Sequence, residues 1–141
     1  MNDAVQKSDR RFIGQQAENL ALYFLQAQGL TLLARNFHSR YGEIDLVMLD
    51  KGYVVFVEVR ARKASTFLSA IESIDLRKQK KIITTSQYYL QKHSNYLDMD
   101  CRFDVIAIDY TTSNVWQHLN FENVNRSDDL RLEWLQNAYT A

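Results

Sequence analysis

The sequence predicts an α/β domain: a mixed central sheet flanked by helices, in the order α-β-β-β-α-β with a short β-α extension. Three observations carry this prediction. Apolar residues recur at helical spacing over 8–29 and again over 69–93, strand-like apolar runs lie between and after them, and turn-forming residues mark the borders. The 141 residues are 46% hydrophobic and 12% aromatic, enough to build a core without help from disulfides. With no proline and only four glycines, collagen-like, linker-rich and many-turned all-β designs are poorly served. No repeat, linker or low-complexity tract divides the chain, so one domain over 1–141 is expected, with its core at about 8–121.

The first helix is capped by Ser8-Asp9, carries Phe12, Ala17, Leu20, Ala21, Phe24 and Leu25 on one stripe, and stops at Gly29. Thr31 to Phe37 reads as a strand with imperfect alternation. Glu43 to Leu49 and Tyr53 to Arg60 are better strands, joined across Asp50-Lys51-Gly52. Ser69 to His93 is predicted helical, with Ile71, Ile74, Ile82, Ile83 and Tyr89 beside the basic run Arg77-Lys78-Gln79-Lys80-Lys81. Arg102 to Tyr110 is the next strand and Val115 to Phe121 a further one. A closing helix over about 128–139 is expected, capped by Ser127 or Asp128 and pinned by Trp134.

Lys+Arg and Asp+Glu both total 17, so any basic surface must be local. The lone Cys101 excludes an internal disulfide and is expected to be a buried, inert thiol. The longest apolar run, Leu20 to Leu25, falls far short of the roughly 20 residues a membrane span needs. The opening Met1-Asn2-Asp3-Ala4 lacks a signal-peptide design. A cytoplasmic protein with no membrane partner is the expectation. His38, His93 and His118 are scattered without ligand spacing, and no nucleophile elbow or phosphate-cradling glycine loop is present. Tyr53, Tyr88 and Tyr89 are able to stack bases, although aromatics in amphipathic elements belong more often to the core.

The informative segment is Gly42-Glu43-Ile44-Asp45-Leu46-Val47 followed by Val54-Val55-Phe56-Val57-Glu58-Val59-Arg60. If Lys51-Gly52 forms a two-residue turn, Asp45 lies opposite Glu58 and Glu43 opposite Arg60, with paired Cβ atoms roughly 5 Å apart. A slip of one residue would send the carboxylates to opposite faces. Two carboxylates that close, among Val, Ile, Leu and Phe, share either a proton or a cation. A hard ion such as Mg²⁺ or Mn²⁺ accepts one or two carboxylates and takes water and phosphate oxygens for the rest, which suits metal-assisted phosphodiester hydrolysis. The plainer alternative is a pair of cross-strand contacts with Glu43–Arg60 as an ordinary surface ion pair.

Asp45, twelve intervening residues and then Glu58-Val59-Arg60 resemble the signature of the PD-(D/E)XK, restriction-endonuclease-like superfamily. More narrowly, these strings, Arg102-Phe103-Asp104-Val105, and an opening helix with Glu18 leading to Leu33-Ala34-Arg35-Asn36-Phe37 resemble the YraN-like family of small bacterial proteins. The resemblance covers roughly residues 11–110 and implies a restriction-endonuclease-like core similar to that of archaeal Holliday-junction resolvases. It implies Asp45 and Glu58 as metal ligands, Glu18 as a third acid or its orienting neighbour, Arg60 at the catalytic lysine position, and Gln79 as a polar aid.

The arginine is a departure. It stays charged, so it cannot act as a base, although it can stabilise phosphate charge. Arg35, Arg40, Arg62, Lys63, Arg77, Lys78, Lys80 and Lys81 are able to ring the acids and contact a phosphate backbone without reading bases. Three readings therefore stand: a Mg²⁺- or Mn²⁺-dependent endonuclease on DNA or structured nucleic acid, junction DNA included; a nucleic-acid-binding module of the same fold without turnover; and a protein-interaction domain. Junction substrates would favour a homodimer, because two cuts need two sites. For Asp104, a polar contact near the site and simple pairing with Arg102 both stay open.

Overall fold

The computed structural model describes residues 3–64, 69–126 and 128–141. Helix α1 (Asp3–Ala27) is followed by strands β1 (Thr31–Ser39), β2 (Gly42–Asp50) and β3 (Tyr53–Lys63), helix α2 (Leu76–Lys92), and strands β4 (Asp100–Tyr110) and β5 (Leu130–Tyr139). The five strands form one sheet in the order β1-β2-β3-β4-β5. β3 and β4 are parallel and the other neighbours antiparallel. The parallel pair needs a crossover, and α2 supplies it. Among the described residues no helix is long and apolar enough to cross a membrane.

Each helix covers one face of the sheet. Ile13, Ala17, Leu20, Ala21 and Leu25 of α1 share a core with Leu46, Met48, Val55, Val57, Ile106 and Ile108. On the other face, Ile82 and Tyr89 of α2 pack with Ile44, Val47, Val54, Phe56, Phe103 and Val105. Phe12, expected on the α1 stripe, is exposed, and Ile13 holds the buried position instead. The end of α1 follows the sequence reading closely. Gly29 takes φ 97°, its N–H donates to Gln26 O (3.0 Å), and Leu30 N–H donates to Leu25 O (3.1 Å). That is a Schellman closure, with Leu30 then buried.

Four boundaries differ from expectation. α1 begins at Asp3, so Ser8 and Asp9 lie within the helix and not at its N-terminus. α2 begins at Leu76 rather than Ser69, because the Asp75 carboxylate accepts the Lys78 N–H (2.9 Å) and fixes an N-cap there. Val115–Phe121 is not a strand: Ser113–Gln117 and Phe121–Arg126 are short 3₁₀ segments. The closing helix is strand β5. Leu130, Leu132 and Trp134 alternate toward the α1 side, after which Leu135, Ala138 and Tyr139 face the α2 side. This change of face puts apolar residues at 132, 135 and 138–139, a spacing that imitates a helix. Met1, Asn2 and the proposed cap Ser127 lie outside the described residues.

A carboxylate pair in the fork of the central hairpin

The site is made where β2 and β3 separate. Their turn is the two-residue type, with Asp50 paired to Tyr53 and Lys51 at φ 56°. The ladder runs from there to Leu46↔Val57 and ends. Continued by one step, this register sets Asp45 against Glu58. Instead of a backbone rung, the Asp45 carboxylate accepts the Val59 N–H at 2.8 Å. The alternation of β2 fails at the same place, since Ile44 packs on the α2 side and Leu46 on the α1 side. Gly42, at φ 149°, brings the start of β2 against α2; a Cβ there would stand 3.2 Å from Thr85 Oγ1.

Burial pushes the Glu58 carboxyl up to about 8, helped by the Asp45 charge and a hydrogen bond between the two acids, while Arg60 and Lys78 pull it down. Burial also raises Asp45, with the Glu18 charge adding to it and the Val59 N–H, Glu58 and Arg60 opposing. At neutral pH Glu58 therefore keeps its proton, and burial beside it favours the neutral form of Asp45 as well. Arg60 lies beside them, Nη2 3.6 Å from Glu58 Oε1, and its buried Nε has no hydrogen-bond partner. A cavity of about 420 Å³ opens on the α1 side, lined by Glu18, Glu43, Asp45, Glu58, Arg60 and Tyr110 among others. A second, on the α2 side, is lined by Gly42, Glu43, Glu58, Arg60, Lys78 and Lys81. Glu58 and Arg60 are thus reached from both faces of the sheet, and Asp45 from the α1 side.

The structure gathers some predicted residues and disperses others. Glu18, buried on α1, receives Arg35 Nε (3.0 Å) and Asn36 Nδ2 (2.9 Å) on the same oxygen. Arg35 also donates to Asn19 (2.8 Å), so it positions Glu18 from within the fold. Glu43 does not meet Arg60. The strands have parted by that point, and Glu43 pairs with His38 across β1 at 3.1 Å. Gln79 turns away, donating to Ile74 O (3.0 Å) at the start of α2. Arg62 approaches Asp109 at 3.5 Å, leaving its buried Nε and Nη1 without partners. Arg40 leans on Tyr41, and Lys63, Arg77, Lys78, Lys80 and Lys81 are exposed. Among the described residues no group of three or more His, Cys, Asp or Glu is arranged to hold a metal; Asp45 and Glu58 stand as a pair, with the Glu18 charge acting on Asp45.

Asp104 resolves as structure. It is completely buried, and receives Arg102 Nε, Trp134 Nε1 (2.9 Å) and the Asn137 N–H (2.9 Å). Cys101 is exposed at the start of β4, not buried. One residue near the site was missed. Tyr139 has a buried hydroxyl without a hydrogen-bond partner, and burial together with the Glu58 charge raises its phenol. Its signal was hidden by the helical reading of the tail.

Fold and site together define a small α/β protein with an acidic pair and an arginine at the open end of a hairpin. Residues 17–108 match the model of the uncharacterised protein family UPF0102, and the chain belongs to that family. It is 47% identical over 126 residues to the UPF0102 protein Pfl01_4685 of Pseudomonas fluorescens, covering 89% of this chain and 91% of that one. It is 38% identical over 142 residues to the UPF0102 protein ACIAD1132 of Acinetobacter baylyi, covering 96% and 95%. The UPF0102 protein PA4424 of Pseudomonas aeruginosa is 41% identical over 128 residues, covering 91% and 92%.

Proposed function

We propose that this protein is a divalent-cation-dependent nuclease of the PD-(D/E)XK type acting on DNA. The observation that carries the reading is the Asp45–Glu58 pair, half-buried and raised in pKa, with an arginine alongside. The donor set suits Mg²⁺ or Mn²⁺, which needs only one or two carboxylates, and does not suit a closed four-ligand zinc site. Asp45 and Glu58 would hold the ion, which supplies Lewis-acid stabilisation of charge on a phosphoryl oxygen.

The chain's own groups do the rest. The Val59 N–H fixes the Asp45 carboxylate in place. Arg60, permanently charged and with a free Nε, stabilises negative charge growing on the phosphate oxygens but takes no proton. Lys78 and Lys81, lining the α2-side cavity, hold the flanking phosphates. With Mg²⁺ or Mn²⁺ present, the purified protein is expected to cleave linear or branched DNA, and Asp45→Ala to slow cleavage by roughly 10²-fold or more. Cleavage unchanged in Asp45→Ala would overturn the assignment.

A second reading, a DNA-binding module without turnover, is favoured by one observation. The cation beside Glu58 is an arginine, held 3.6 Å from that acid, where a lysine could shed or share a proton. Under this reading wild type binds DNA without cutting it, and Arg60→Lys raises activity.

A further inference from the structure

The chemistry of the acidic fork leaves a neighbouring surface unused. Tyr41, second residue of the two-residue turn between β1 and β2, is exposed, and its ring lies 5.7 Å from that of Tyr88 on α2. Tyr88 in turn meets Phe37, and Phe37 meets the buried Tyr89, so an aromatic series runs from the core to the surface. Cations stand over its outer members: the Arg40 guanidinium is 4.9 Å from the Tyr41 ring centre and Lys92 Nζ 5.4 Å from that of Tyr88. Beside them is a groove of about 450 Å³ lined by Tyr41, Arg77, Lys80, Lys81 and Thr84, with no acidic residue. Lys81 also lines the α2-side cavity that contains Glu58 and Arg60.

A ligand for this groove must carry negative charge and present a flat, polarisable face. DNA offers both only where a base is unpaired, because in a duplex each base face is covered by its neighbours. The distance is suitable too. Tyr41 and Asp45 are four residues apart along the chain, so they lie within about 13 Å of each other, a few nucleotides of backbone. We propose that Tyr41, supported by Tyr88 and Arg40, is a stacking platform for an unpaired base, and that the protein's substrate is duplex DNA with a single-stranded segment next to the scissile phosphate. This rests on the DNA reading above and specifies its substrate class.

Binding measured by fluorescence anisotropy in EDTA separates the two, since no cleavage is involved. The probes are a blunt duplex and the same duplex with a single-stranded tail. The tailed probe is expected to bind more tightly, and Tyr41→Ala to weaken it by roughly tenfold with little effect on the blunt one. Tyr41→Phe should restore the preference, because it keeps the ring; Lys81→Ala should weaken both probes alike. Equal losses on both probes in Tyr41→Ala, or none, would overturn the platform and leave the DNA reading standing. Failure of the wild type to bind either probe would overturn both.

Discussion

Two acidic sites in this molecule, one buried and one half-buried, are built from similar residues and reach opposite results. Around Asp104, each oxygen is met by donors: Arg102 on both, Trp134 Nε1 on one and the Asn137 N–H on the other. Arg102 also reaches Asp50 at 2.8 Å, tying the β2–β3 turn to β4. At the other end of the same hairpin, Asp45 receives a single backbone N–H, Glu58 a distant arginine, and the two acids face each other. A satisfied carboxylate holds a fold together. An under-satisfied pair carries raised pKa values, and it is this that the proposed cation and phosphate would exploit.

The comparison is broken most sharply at Asp104. Asp104→Ala leaves Arg102, Trp134 and the Asn137 N–H without their acceptor, and should cost roughly 3–5 kcal/mol in urea unfolding. The corresponding change at the fork has the opposite sign. Glu58 keeps its proton to about pH 8 when folded and loses it near 4.5 when unfolded, so between those values the folded state binds more protons. The contribution of Glu58 to the stability of the metal-free protein is therefore fully present below about pH 4.5 and declines as pH rises toward 8. Glu58→Gln is expected to flatten that decline and to stabilise the metal-free protein at pH 8, by up to a few kcal/mol, in thermal melts across this range. Saturating Mg²⁺ should raise the wild-type melting temperature most at the high-pH end.

Smaller effects sharpen the boundary between scaffold and site. Gly42→Ala forces a side chain into φ 149° and against Thr85 Oγ1, and should destabilise by roughly 1–3 kcal/mol in the same unfolding assay. Arg35→Ala removes one of the two donors to Glu18, at a partly exposed position, and should cost no more than about 1 kcal/mol.

The sequence carried the fork well because its geometry is local. A two-residue turn and a spacing of twelve between Asp45 and Glu58 leave one register up to Leu46 and Val57, which brings the two acids to the same end of the hairpin even though the alternation of β2 breaks there. Gly29 was legible for the same reason, since a helix end needs only its own backbone. The tail was not legible. The bulge between Phe103 and Val105 pairings, with Asn137 at φ 52° bonded to Asp104, turns β5 over, and no local signal announces a partner 33 residues away. Tyr139 was lost with it. Arg35 and Gln79 look like free polar groups in the sequence, and only packing engages them with Glu18 and Ile74. Cys101 sits one residue inside β4 but before the covered part of the sheet begins.

The proton shared in the fork can be counted directly. Titrating Mn²⁺ into the protein near neutral pH by calorimetry, in two buffers of different ionisation enthalpy, should show release of about one proton per ion bound. Glu58→Gln should release none and bind more weakly. Binding without proton release in the wild type, or release unchanged by Glu58→Gln, would contradict the account of Asp45 and Glu58 as a proton-sharing pair that a cation takes over.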